Sequence, residues 1–137
     1  MMCRSEIEAD GTVPVRDRRD AGRRADLSGR AAETGVADLY QRLGYDLLET
    51  RWRGQSGEID LIFGQGDLLI FTEVKSAQRF DNAIASLRPA QIRRIHSAAS
   101  EYLAHAPNGQ LSDVRFDLAV VNGAGQIEIM ENAFGHF

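Results

Sequence analysis

The sequence predicts an α/β fold, a mixed central sheet with helices packed on it. Segments of helical and strand periodicity follow one another in the order helix, three strands, helix, two strands. The strand-like runs are dense in Ile, Leu, Val and Phe, whereas each helical segment carries a single apolar stripe. The longest apolar stretches span only a few residues. That is far short of the roughly 20 needed to cross a bilayer, so no membrane segment is expected.

A chain of 137 residues, 43% hydrophobic and 26% charged, suits one globular domain able to bury a core. Residues 1–28 differ in character: Arg16, Arg18, Arg19, Arg23 and Arg24 alternate with Asp17, Asp20 and Asp26, and apolar residues are few. Such a segment cannot bury enough surface to offset its ordering entropy. A flexible N-terminal arm is therefore expected over residues 1–28, and one packed domain over 29–137. The abundance of acids argues against a transit peptide, and no apolar run suggests a secretory signal. Cys3 is the only cysteine, so neither a disulfide framework nor a thiolate metal site is available, and a reducing, cytoplasmic setting is expected.

The arm holds six arginines and six acids, so the net charge of −4 belongs to the domain. A broad nucleic-acid-binding face usually needs a basic surplus. Acids that serve as metal ligands would, however, be neutralised by their cation. The basic residues that remain are grouped, Arg51 and Arg53 before the central motif and Arg79, Arg88, Arg93 and Arg94 after it.

Ser28 or Gly29 can cap a first helix, in which Ala32, Val36, Leu39, Tyr40 and Leu43 recur at helical spacing and Gly44 is the stop. Glu33 falls in its first turn. Tyr45 to Trp52 reads as a strand. Glu58 to Phe63 and Leu68 to Lys75 are two further strands around Gly64-Gln65-Gly66-Asp67, a hairpin signal. Pro89 suits the start of a second helix, with Ile92, Ile95, Ala99, Tyr102 and Leu103 as its stripe and Pro107-Asn108-Gly109 as its end. Val114 to Val121 and Gln126 to Met130 supply the last two strands. His96, His105 and His136 lack ligand spacing and are expected at the surface.

The hairpin fixes what can face what. A loop of two or four residues makes the numbers of facing residues sum to 131 or 133, so even positions of one strand share a face with odd positions of the other. Glu58, Asp60, Glu73 and Lys75 then project to one side, with Ile59, Leu61, Thr72 and Val74 on the other. In the 133 register Asp60 faces Glu73, at roughly 5 Å between Cβ atoms. Two carboxylates so close repel unless a cation joins them or one takes a proton.

Lys75 is the only lysine, the other fifteen of the sixteen basic residues being arginine. A compact ammonium in the sequence Glu73-Val74-Lys75 therefore stands where a point charge or proton donor is wanted. An Asp followed by Glu-x-Lys on adjacent strands is the layout of a metal-dependent phosphodiesterase site. Carboxylates hold a divalent cation that neutralises phosphate and activates water, and a lysine stabilises the developing charge. Oxygen-only donors suit Mg²⁺, and the Val74 carbonyl can complete the set. The competing reading is a row of cross-strand ion pairs on a solvated face.

Gly57-Glu58-Ile59-Asp60-Leu61-Ile62, Phe71-Thr72-Glu73-Val74-Lys75, Arg115-Phe116-Asp117 and Asn132-Ala133-Phe134 together resemble the YraN-type bacterial proteins. That group is placed in the PD-(D/E)XK nuclease superfamily, near the archaeal Holliday-junction resolvases. The resemblance runs from about Gly29 to Phe134 and implies a restriction-endonuclease-like fold, a mixed central sheet flanked by helices. It further implies a site in which Asp60 and Glu73 bind metal, Glu33 completes the metal set and Lys75 is the motif lysine. Gln91, where relatives more often carry Lys, takes the position associated with phosphate or water placement. Thr72 stands where relatives usually have Val, and it points away from the site. Mg²⁺ or Mn²⁺ is the implied cofactor, DNA the implied partner, and a homodimer is expected by analogy with the resolvases. The leading expectation is a metal-dependent DNA endonuclease acting on branched or structured substrates. Its rival is a nucleic-acid-binding or partner-binding module that keeps the nuclease fold without turnover.

Overall fold

The computed structural model describes residues 18–106 and 112–135. Its elements are α1 (Arg18–Arg42), β1 (Asp46–Arg53), β2 (Glu58–Gln65), β3 (Leu68–Ser76), two single 3₁₀ turns, α2 (Pro89–Leu103), β4 (Asp113–Val121) and β5 (Ile127–Met130). One sheet runs in the order β1-β2-β3-β4-β5. All neighbours are antiparallel except β3 and β4. A parallel pair needs a crossover, and α2 lies in the segment that makes it. The result is the expected mixed sheet flanked by helices, consistent with a restriction-endonuclease-like fold.

The first helix starts earlier than its apolar pattern suggests. No cap forms at Ser28 or Gly29, because residues 18–28 continue the helix. Ala21 and Ala25 favour it, and the sequence sets Asp20 four residues before Arg24 and Asp26 four before Arg30, the favourable order for helical charge pairs. Residues 1–17 of the expected arm, the Pro107-Asn108-Gly109 stop and His136 lie outside the described residues.

The C-terminal end of α1 follows its sequence signal. Gly44 adopts φ +100, a left-handed conformation that suits glycine. Its N–H donates to the Gln41 carbonyl and that of Tyr45 to the Tyr40 carbonyl, both at 3.1 Å, which closes the helix with a Schellman motif. Tyr45 also meets Tyr40 edge to face, with ring centroids 5.7 Å apart.

Each helix covers one face of the sheet. α1 lays Val36, Ala37 and Tyr40 on Leu61, Phe63, Ile70 and Ala119. α2 lays Ile92, Ile95, Ala98 and Ala99 on Ile62, Leu69, Phe71, Leu118 and Val120. Removing an isoleucine side chain from water is worth about 1.5–3 kcal/mol, so this stripe is what holds α2 to the sheet. Tyr102 and Leu103 pack at its margin. His96 departs from the exposed position expected of it: it is half-buried, tilted against Phe116 at 4.2 Å, with Nε2 2.8 Å from the Phe134 carbonyl oxygen. His105 is exposed as expected.

A charged residue lies inside this core. Asp117 is fully buried on β4 and is met by the Arg115 Nε and Nη2, both at 2.9 Å, the Tyr40 hydroxyl at 2.7 Å and the Asn132 N–H at 2.9 Å. The Thr72 hydroxyl donates in turn to Tyr40 Oη at 3.3 Å. Asp117 is thus a structural tie between α1, β4 and the C-terminal segment, and Thr72 points away from the acid cluster into this tie.

Candidate active site at the split between β2 and β3

The hairpin takes the 133 register, from Gln65↔Leu68 to Leu61↔Thr72. Gly66 opens its two-residue loop at φ +60, as such a turn requires. The β2–β3 ladder stops at Leu61↔Thr72, while β3 continues beside β4 as far as Ser76↔Val121. The acids therefore stand where the two central strands part. Asp60 occupies the gap, its Oδ2 accepting the Val74 N–H at 2.8 Å in place of a ladder bond.

Strict alternation ends at the same place. Leu61 packs under α1, but Ile59 packs into the α2 layer, so the two do not share the face expected of them. Having lost β3 as a partner, β2 twists about Asp60 while still pairing with β1 down to Arg53↔Glu58. This twist brings Asp60 between the two layers. On one side it interacts with Glu73 and Lys75, and on the other its charge reaches Glu33.

Four of the five expected site residues come together here, and three of them, Glu73, Lys75 and Gln91, through direct contacts. The Asp60 and Glu73 carboxyl groups stand close enough for the charge of Asp60 to raise Glu73. The Gln91 amide donates to Glu73 Oε2 at 2.6 Å and accepts from Lys75 Nζ at 3.4 Å. Lys75 Nζ is also 3.5 Å from Glu73 Oε2. Gln91 reaches the site because α2 begins at Pro89, which puts residue 91 in the first turn, at the sheet end where Glu73 and Lys75 emerge. Burial, then the charge of Asp60, pushes the Glu73 carboxyl up to about 8. Burial also raises Asp60, with the Val74 N–H opposing. Such a pair is stable without a cation when one proton is shared between its members.

Glu33 is set apart. Its Oε1 accepts from the Arg51 Nε at 2.9 Å across α1 and β1. Burial raises its carboxyl, the Arg51 hydrogen bond opposes this, and the charge of Asp60 adds to the rise. Among the described residues no three His, Cys, Asp or Glu side chains are grouped closely enough to hold a metal ion. The structure thus offers a carboxylate pair with Glu33 at its flank, tied to an arginine. Arg51 has φ +51, a conformation that a non-glycine residue adopts at a cost of about 1–3 kcal/mol.

Two partners were not legible as site residues. The Arg51 tie joins side chains 18 positions apart, and only the grouping of Arg51 with Arg53 hinted at it. Glu101 of α2 clamps the loop before β2, accepting the N–H groups of Gln55 and Ser56 at 2.7 and 2.8 Å. Hydrogen bonds from Ser56 and the Gln55 backbone hold its carboxyl below the usual range. Nothing in the spacing of a glutamate near the end of α2 signals that role.

Fold and cluster together define a small mixed α/β protein that carries an acid–lysine cluster on its central strands. The chain belongs to the uncharacterised protein family UPF0102, whose model matches residues 32–121. It is 52% identical over 115 residues to the UPF0102 protein SPO0400 of Ruegeria pomeroyi, covering 84% of this chain and 94% of that protein. A UPF0102 protein of Dinoroseobacter shibae is 49% identical over 118 residues, covering 86% and 88% respectively. One from Ruegeria sp. strain TM1040 is 45% identical over 122 residues, covering 89% and 98%. No helix among the described residues is long and apolar enough to cross a membrane.

Proposed function

We propose that this protein is a metal-dependent DNA endonuclease of the PD-(D/E)XK type, hydrolysing phosphodiester bonds in branched or structured DNA. The observation that carries the reading is the pairing of half-buried Asp60 with buried Glu73, placed with Lys75 where β2 and β3 part. Two neighbouring carboxyl groups, both raised above their ordinary values, fit a cation that takes the place of a proton held between them. Asp60, Glu73 and the Val74 carbonyl would hold Mg²⁺ or Mn²⁺, with Glu33 joining from the flank. When bound, such an ion neutralises phosphate charge and makes its water acidic enough to attack at neutral pH.

The chain's own residues do the remaining work. Lys75 brings a positive charge against the phosphate as negative charge builds on it. Gln91 fixes the ammonium, since its amide oxygen accepts from Lys75 while its NH₂ is committed to Glu73. Two-fold pairing of copies, by analogy with the resolvases, belongs to this reading and is tested by light scattering.

The experiment is direct. Purified protein is incubated with Mg²⁺ or Mn²⁺ and linear, flapped and four-way DNA, beside Asp60→Asn. Cleavage by the parent alone supports the proposal. A second reading, a binding module without turnover, is favoured by one contact, the occupation of Glu73 Oε2 by Gln91 at 2.6 Å. DNA binding with no divalent affinity and no cleavage would decide for it.

A further inference from the structure

On the α1 side of the sheet, next to the acid cluster, lies an open cleft of about 530 Å³. Its charged residues are Arg30, Glu33, Asp38 and Arg51, and its lining includes the apolar Leu47 and Leu61. Two arginines and two leucines in one cleft match the two parts of a nucleic-acid strand, an anionic phosphate and the C–H face of a sugar. Glu33 lines the cleft and flanks the cluster, since it binds Arg51 while the charges of Asp60 and Glu58 reach it. Arg51 holds this place from a left-handed backbone on a strand already bulged between Leu47 and Glu49, so more than local preference fixes it there.

We propose that this cleft receives the sugar–phosphate backbone beside the reacting bond, and that Arg51 exchanges Glu33 for a phosphate when the strand enters, releasing Glu33 to the cation. The inference rests on the nuclease reading above and assigns its substrate track. Charge supports it: two arginines balance two acids in the cleft, and a cation that takes Glu33 leaves the cleft positive. Cation and strand then reinforce each other's binding, reciprocally.

The test separates this exchange from the bare effect of charge. Mn²⁺ affinity of the full chain, without nucleic acid, is followed by electron paramagnetic resonance. Arg51→Ala is expected to bind Mn²⁺ several-fold more tightly, with the gain abolished in the Glu33→Gln background. A gain that persists in Glu33→Gln comes from charge alone and overturns the exchange, as does no gain at all. Binding of a fluorescent oligodeoxythymidine in EDTA provides the second arm. Arg30→Ala and Arg51→Ala should each flatten the plot of log affinity against log salt by about 0.7, the value for one phosphate contact on a single strand. Unchanged slopes place the strand elsewhere and overturn the subsite. A parent that binds no Mn²⁺ sinks the nuclease reading instead, and the salt slopes still judge the cleft.

Discussion

Asp60 accepts the backbone N–H of Val74 at 2.8 Å, so one carboxylate both ends the β2–β3 ladder and forms half of the acid pair. Ending the ladder and contributing a carboxyl group to the pair therefore fall to one side chain, and two substitutions separate the two roles.

Asp60→Asn keeps an oxygen for Val74 and removes the charge. Its fold should survive with stability equal to or above that of the metal-free parent, while Mn²⁺ affinity and any cleavage fall steeply. Asp60→Ala instead leaves the Val74 N–H without its acceptor, at a cost of about 1–3 kcal/mol. Urea denaturation distinguishes them, and equal stabilities would show that the hydrogen bond does not matter.

The pH dependence of the metal-free protein follows from Glu73. Its carboxyl is raised from an ordinary 4.5 to about 8, so across that window the folded state holds a proton that the unfolded state releases. The stability this contributes is complete below the ordinary value and is lost as pH rises through about 8. The urea midpoint should fall across this range, and Glu73→Gln should remove most of the fall. Apparent divalent affinity should move the other way, rising with pH as the proton leaves. A flat profile in the parent would contradict the shared proton.

Tyr40→Phe retains the ring stacked on Phe63 at 4.0 Å but withdraws the hydroxyl from buried Asp117. A hydrogen bond to a charged group is worth about 1.5–3 kcal/mol, and the loss should be of that size. Burial, reinforced by the charge of Asp117, pushes this phenol upward, so no loss of stability from its ionisation is expected near neutrality.

The sign of a glycine substitution tests where α1 begins. Gly29 lies inside the helix and open space surrounds the position a Cβ would take, so Gly29→Ala should stabilise by about 0.5–1 kcal/mol. Were Gly29 the cap, alanine would destabilise instead. Gly44→Ala, at φ +100, should cost about 1–2 kcal/mol. Thermal melts of the two variants should move in opposite directions.

What the sequence made legible were features carried by local rules. The even-length turn after β2 sets the parity that unites Asp60 with Glu73, and Pro89 with its stripe locates α2 and hence Gln91. What it hid depended on long side chains or on lost partners. Residues 18–28 contain too little apolar pattern to announce a helix, because charge spacing and alanine supply the propensity. A period of two puts Ile59 on the face of Leu61 in a flat strand, and the sequence does not show that β2 loses β3 as a neighbour beyond Leu61 and carries Ile59 into the α2 layer. Glu33 stands alone in the pattern, and its arginine becomes visible only once β1 lies beside α1.

The bulge between Leu47 and Glu49 has a consequence outside the site. β1 is a rim strand, and a straight rim offers its unpaired amides to any passing chain. Here the rim is kinked at Leu48 and turned again by the left-handed Arg51, while the opposite rim, β5, is only four residues long. Neither margin is a good template for another strand, which guards the protein against edge-to-edge aggregation. Two copies that associate in solution would then meet through helices or loops, leaving the sheet at five strands in each.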